Sequence, residues 1–193
     1  MKKIMFNDKF GLTQAVLECR KTQTRRTIPT HIEARLRYSR DVLASADWTK
    51  ERIYSALSKY GETMSPYKTG DIVAIAQSYK DCGAEAFYWK KTPGWTNKMF
   101  VKANLMPHHI KIERVRVERL QDISEEDCLK EGIYEDGGND SFIPHYFYDY
   151  YNSNSDGFKT PQLAYAHLIG KIGGNGTWAA NPLVFAYDFA LID

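Results

Sequence analysis

The chain has 193 residues, 43% of them hydrophobic, which is enough for one sizeable core and near the usual length of a single domain. Its three cysteines, Cys19, Cys82 and Cys128, are odd in number and far apart, which argues against a disulfide scaffold or a structural zinc, and no metal or other cofactor is expected. The formal net charge of +2 conceals an asymmetry, since residues 1–60 carry 13 Lys+Arg against 6 Asp+Glu and the remainder 13 against 18, giving +7 and −5. Such a basic third fits either a surface for polyanions or a solvated helical face.

The N-terminus has the charge of a signal peptide but too short an apolar stretch, and no later run reaches the length of a membrane span. A cytoplasmic protein that does not enter membranes is expected. Residues 3–6 read as a short strand, and Asp8 as the N-cap of a helix with Leu12, Ala15, Val16 and Cys19 at helical spacing. Residues 21–29, basic, rich in threonine and closed by Pro29, read as an extended turn leading into a loop. Two helices are expected over about 30–60, from Leu36, Val42 and Leu43 and then Trp48, Ile53 and Leu57.

The turn at 66–71 launches an apolar strand at 72–76, expected to be central, and a second strand at 84–89 would form a hairpin arm. From His109, Ile110 and Ile112 and then Val115 and Val117 keep a period of two but change phase once, as a long bulged strand would. Ser124 caps a helix that ends at Gly132, with acidic residues in its first turn. Residues 134–158 hold Phe142, Tyr146, Phe147, Tyr148, Tyr150 and Tyr151 and read as an aromatic-rich insertion or lid, able to stack bases, cover a sheet edge or make a dimer. A helix at 160–172 and a strand at 183–189 follow. The sum is an α+β domain with a mixed sheet of about five or six strands and flanking helices, compatible with a small barrel.

The segment 20–26 concentrates chemistry. Lys21, Thr24, Arg25 and Arg26 bring an ammonium, a hydroxyl and two guanidiniums into a few residues, which fits an anion cradle or a solvated basic helix end. His108-His109 has no partner at metal spacing and reads as strand entry. Trp178 and Asn181 could stack on a base and read its edge, or could be a buried indole and the turn that fixes it.

Five separate motifs carry a resemblance: Met5-Phe6-Asn7-Asp8, the run from Arg20 to Arg26, Tyr67-Lys68-Thr69-Gly70-Asp71, the run from Val117 to Asp127, and Trp178-Ala179-Ala180-Asn181-Pro182. In this order they resemble the ASCH domains, a branch of the PUA-like superfamily, in the phage- and prophage-encoded group. The resemblance implies one PUA-like β-barrel with flanking helices over 1–193, with insertions at about 30–60 and 134–158. It also implies a cleft lined by Arg20, Lys21, Thr22, Thr24, Arg25 and Arg26 that binds RNA or a modified nucleoside, with DNA a further option.

Some small members of the family hydrolyse 4-acetylcytidine with a lysine and a threonine of this turn and a glutamate on a later strand. Those roles fall on Lys21 and Thr24, and on Glu113 after a shift of about two residues, with Glu118 the other choice. Amide hydrolysis needs a nucleophile, a base and an oxyanion donor. Thr24 or a water would attack, Lys21 would act as base, Glu113 would orient water or protonate the amine, and Arg25 or Arg26 would hold the carbonyl. The family's cleft also takes in Gln77 and Tyr79, where related phage proteins often show Glu-Thr-Trp, so an acidic position is neutral here. A third function, as a phage accessory whose turn binds a protein partner, stays open at this point, as does the oligomeric state.

Overall fold

A computed structural model describes residues 1–136, 145–148 and 157–193. Five strands form one mixed sheet: β1 (Lys2–Ile4), β2 (Gln23–Thr27), β3 (Ile72–Ile75), β4 (His109–Arg119) and β7 (Leu183–Leu191), in the order β1-β3-β4-β7-β2. The parallel pair is β1 with β3, and the other neighbours are antiparallel. β3 is inside the sheet as expected, with Val73, Ala74 and Ile75 fully buried. Among the described residues β1 and β2 remain edges, with no backbone pairing between them, so the sheet is open. Their ends nevertheless approach, because the Arg26 guanidinium on β2 donates to the Met5 carbonyl just past β1.

The long strand bulges as its pattern requires. Ile112 opposes Phe189 and Arg114 opposes Asp188, so Glu113 is the extra residue at the register shift. With Glu113 set aside, Val115 and Val117 face Tyr187 and Phe185 on the same side that Ile112 meets Phe189.

Two helices cover that apolar side. α2 (Thr30–Ser45) buries Leu36, while α3 (Lys50–Met64), capped by the Thr49 hydroxyl, buries Ile53, Leu57 and Gly61. Burying each leucine contributes roughly 1.5–3 kcal/mol. α3 lies so close to β4 that a Cβ on Gly61 would stand 2.4 Å from Val117 Cγ2. The helices read as an insertion therefore form one wall of the core.

At the N-terminus, the expected cap moves: Asn7 caps a 3-10 turn at Asp8–Phe10, and α1 (Leu12–Leu17) starts after Gly11, while Asp8 instead accepts from the Thr13 hydroxyl. The expected strand at 84–89 is a one-turn helix, α4 (Ala86–Trp89), because Trp89 packs on Tyr79 at 4.3 Å in a satellite core instead of pairing in a sheet. Likewise, 21–29 is not a turn but mostly strand, since β7 pairs with it along its length.

On the polar side of the sheet, α5 (Glu125–Lys130) is capped by Ser124 and stopped at Gly132, φ 97°, and α6 (Pro161–Gly173) is capped by Thr160. α7 (Thr177–Ala180) precedes β7. β5 (Tyr134–Asp136) and β6 (His145–Phe147) make a separate two-stranded sheet, which Phe158 extends by one bridge to Tyr146. Phe142, Tyr150 and Tyr151, assigned to the lid, lie outside the described residues. No helix among the described residues is long and apolar enough to cross a membrane.

Candidate functional site

The segment 20–26 delivers its side chains to two different faces, because β2 is a strand and successive residues alternate. Gln23 pairs with Asp188 and Arg25 with Ala186, whereas Thr24 and Arg26 oppose Tyr187 and Phe185 on the apolar side.

On the first face Arg25 is the hub. Its Nε donates to Glu118 at 2.7 Å, its Nη2 to Asp127 at 2.8 Å, and its Nη1 to Glu131 at 3.1 Å and to the Gln23 amide oxygen. The Lys21 ammonium, 2% exposed, donates to the Glu131 carboxylate at 2.6 Å and to the Glu131 carbonyl at 2.7 Å. The Tyr165 hydroxyl stands 3.5 Å from the same carboxylate. Arg116 spans Asp127, Glu118 and Asp188 at 3.1–3.3 Å, and Arg114 also holds Asp188. Lys21, Arg25, Arg114 and Arg116 thus balance Glu118, Asp127, Glu131 and Asp188, which offsets the cost of burying charge.

The protonation equilibria follow. Burial lowers the Lys21 pKa against the opposing pull of Glu131. Burial opposes the Arg25 charge, but Glu131 and Glu118 outweigh it and raise its pKa. The Glu118 carboxyl is pushed up by burial despite Arg25 and Arg116. Burial also works against Asp127 ionising, yet hydrogen bonds from Arg116 and Arg25 hold its pKa below the usual value.

On the second face the polar groups are fewer and less satisfied. Thr24 is buried, and its hydroxyl makes no hydrogen bond among the described residues. The Arg26 guanidinium lies 5.7 Å from the Phe6 ring centroid, and the Lys21 ammonium 6.0 Å from the same ring. Tyr67 and Tyr187, edge to face at 5.4 Å, continue this aromatic wall, and Tyr187 is fixed by a 2.6 Å hydroxyl contact with Ser65. Gln77 follows β3 just past Ala76, whose amide donates to the Ile4 carbonyl at the end of β1. Two polar atoms here are shut from solvent without a partner: Arg26 Nε and Gln77 Oε1. Gln77 also lines a cavity of about 280 Å³ with Asp8, Thr13, Gln14 and Asp81.

The remaining candidates serve elsewhere. Glu113 sits exposed at the bulge, and the carboxylate bonded to Lys21 is Glu131. Arg20 pairs with Glu18, and the Thr22 backbone bonds to Lys130 and Phe189. Tyr79 is buried, its hydroxyl accepting from the Lys102 amide. Trp178 packs edge to face on Tyr165 at 6.2 Å. Asn181, at φ 44°, uses its side-chain oxygen on the Gln121 amide and its carbonyl on Arg119.

Sequence reasoning missed Glu131, Asp188 and Phe6 as partners of this segment. Two of them carried a signal: Glu131 closes α5 where a carboxylate opposes the helix dipole, and Asp188 interrupts an apolar strand. Each such misplacement calls for a cation nearby. Among the described residues no three His, Cys, Asp or Glu side chains are grouped to hold a metal ion. No family model, curated protein or solved structure matches the chain.

Proposed function

We propose that the chain binds RNA or a modified nucleoside in a PUA-like cleft lined by Lys21, Thr24 and Arg26, with Phe6 and Gln77 as further walls. The observation that carries this reading is a pair of orphaned groups, the donor Arg26 Nε beside Phe6 and the acceptor Gln77 Oε1 past the end of β3. An unmade hydrogen bond in a buried place costs about 1–3 kcal/mol, which a ligand carrying the complementary acceptor and donor recovers. The edge of a nucleobase offers both, and its ring matches an aromatic face. The motifs resembling the ASCH domains support the same ligand class, and the approach of β1 and β2 through Arg26 supports a barrel-like curl of the sheet.

Calorimetry with cytidine, 4-acetylcytidine and uridine tests the cleft. Binding is expected to weaken about tenfold or more in Gln77→Leu, the loss of one hydrogen bond to a buried polar group. Absence of binding by every nucleoside at millimolar concentration sinks the reading.

A second reading, amide hydrolysis, is favoured by one observation: an amine whose pKa burial lowers lies 2.6 Å from a carboxylate. Here Lys21 passes its proton to Glu131 and takes one from water as the water attacks the carbonyl, while Glu131 protonates the leaving amine, the role given above to Glu113; if Thr24 attacks instead, a water then hydrolyses the acetyl-threonine ester to acetate. Acetate release from 4-acetylcytidine should vanish in Lys21→Ala and survive Glu113→Gln. Substrate left intact by the unaltered protein excludes this chemistry.

A further inference from the structure

A groove of about 550 Å³ runs between α3 and the second half of β4. It exists because β3 ends at Ile72, opposite Lys111, so that beyond the bulge β4 has no strand on that side. One backbone donor of this open edge is already satisfied, the Val117 amide donating to the Ser58 hydroxyl at 2.9 Å. By alternation the Val115 amide faces the same way.

The lining is unbalanced in what it leaves unused. Most of its acceptors are engaged: Glu118 by Arg25 and Arg116, one oxygen of the Glu62 carboxylate by the Thr69 amide at 2.8 Å, and the Ser58 hydroxyl by Val117 while it donates to the Tyr54 carbonyl. Its donors are not. Lys59 and the Ser55 hydroxyl make no hydrogen bond among the described residues. Arg114 spends only Nε, on Asp188, and Arg116 Nε is shut from solvent without a partner. Lys59, Arg114 and the Ser55 hydroxyl therefore line one groove with donor capacity to spare. We propose that this groove is a second binding site, one for a phosphate group, carried by a free nucleotide or by the backbone of an RNA strand. Guanidinium forks match phosphate oxygens in pairs, and Lys59 adds a mobile point charge.

The groove shares no residue with the cleft of Lys21, Thr24, Arg26 and Gln77, so the two can fail separately. Calorimetry at low salt would use inorganic phosphate, a nucleoside 5′-monophosphate and a ten-nucleotide single-stranded RNA. The unaltered protein is compared with Lys59→Ala and Arg114→Gln, two exposed positions whose folding is checked by thermal unfolding. At least one phosphate-bearing probe is expected to bind, and each substitution to weaken it by about tenfold, the value of one charge-assisted hydrogen bond. Unphosphorylated nucleoside binding should be unmoved by both. Binding of the monophosphate identifies a nucleotide site, and binding of the RNA alone identifies a backbone site. The proposal is overturned if no probe binds at millimolar concentration, or if Lys59→Ala and Arg114→Gln each bind as tightly as the unaltered protein.

Discussion

Lys21 and Glu131 hold each other almost out of reach of solvent, so Lys21 is costly to remove. Lys21→Met should cost about 3 kcal/mol in denaturant unfolding, because it strips one partner from a buried pair. Asp127 gives a test by pH. Its folded pKa lies below the unfolded value of 3.8, so its stabilisation is complete above that value and is lost as pH falls through the folded one. Asp127→Asn should therefore cost about 1–2 kcal/mol at neutral pH, with the gap from the unaltered protein closing in strong acid, as chemical unfolding at stepped pH would show. The candidate site was legible at this scale only in part. Lys21, Thr24, Arg26 and Gln77 were named from their chemistry and their motifs, and the carboxylate was placed on Glu113 with Glu118 the other choice; Glu131, which bonds Lys21, went unnamed because a contact between residues 110 positions apart is a tertiary event.

Elements were legible where they carried their own pattern. The phase change in β4 and the cap at Ser124 came through because each is a local rule. β2 did not, since an edge strand of Gln, Thr and Arg has no apolar alternation of its own and is made a strand by pairing with β7. The segment 84–89 failed in the opposite way, its aromatic residues favouring a strand until packing on Tyr79 fixed a helical turn. The close approach of α3 and β4 makes a prediction at this scale. Gly61→Ala would gain about 1 kcal/mol of helix propensity on an isolated helix. Here the added methyl meets the stiff side chain of Val117, so the net change in thermal unfolding should be a loss of about 1–3 kcal/mol.

Across the whole molecule, the charge asymmetry of the sequence finds a partly internal explanation. Lys21 and Arg25 from the basic third are paired with Glu118, Asp127 and Glu131 from the acidic remainder, so some of the contrast between +7 and −5 is folded inward. The same view makes α2 and α3 indispensable: deleting residues 30–64 would bare Val117 and Phe185, and the shortened chain should lose its cooperative thermal transition instead of persisting as a smaller domain.

Glu113 has one more implication. Because it is the surplus residue of β4, the strand could lose it altogether and every remaining residue would keep its present partner on β7. A shortened chain is usually ruinous inside a sheet, where a slip of one position turns every side chain over. Here excision would only straighten the ribbon. Position 113 is thus a built-in spacer, and removing it takes away a carboxylate and leaves no replacement side chain behind.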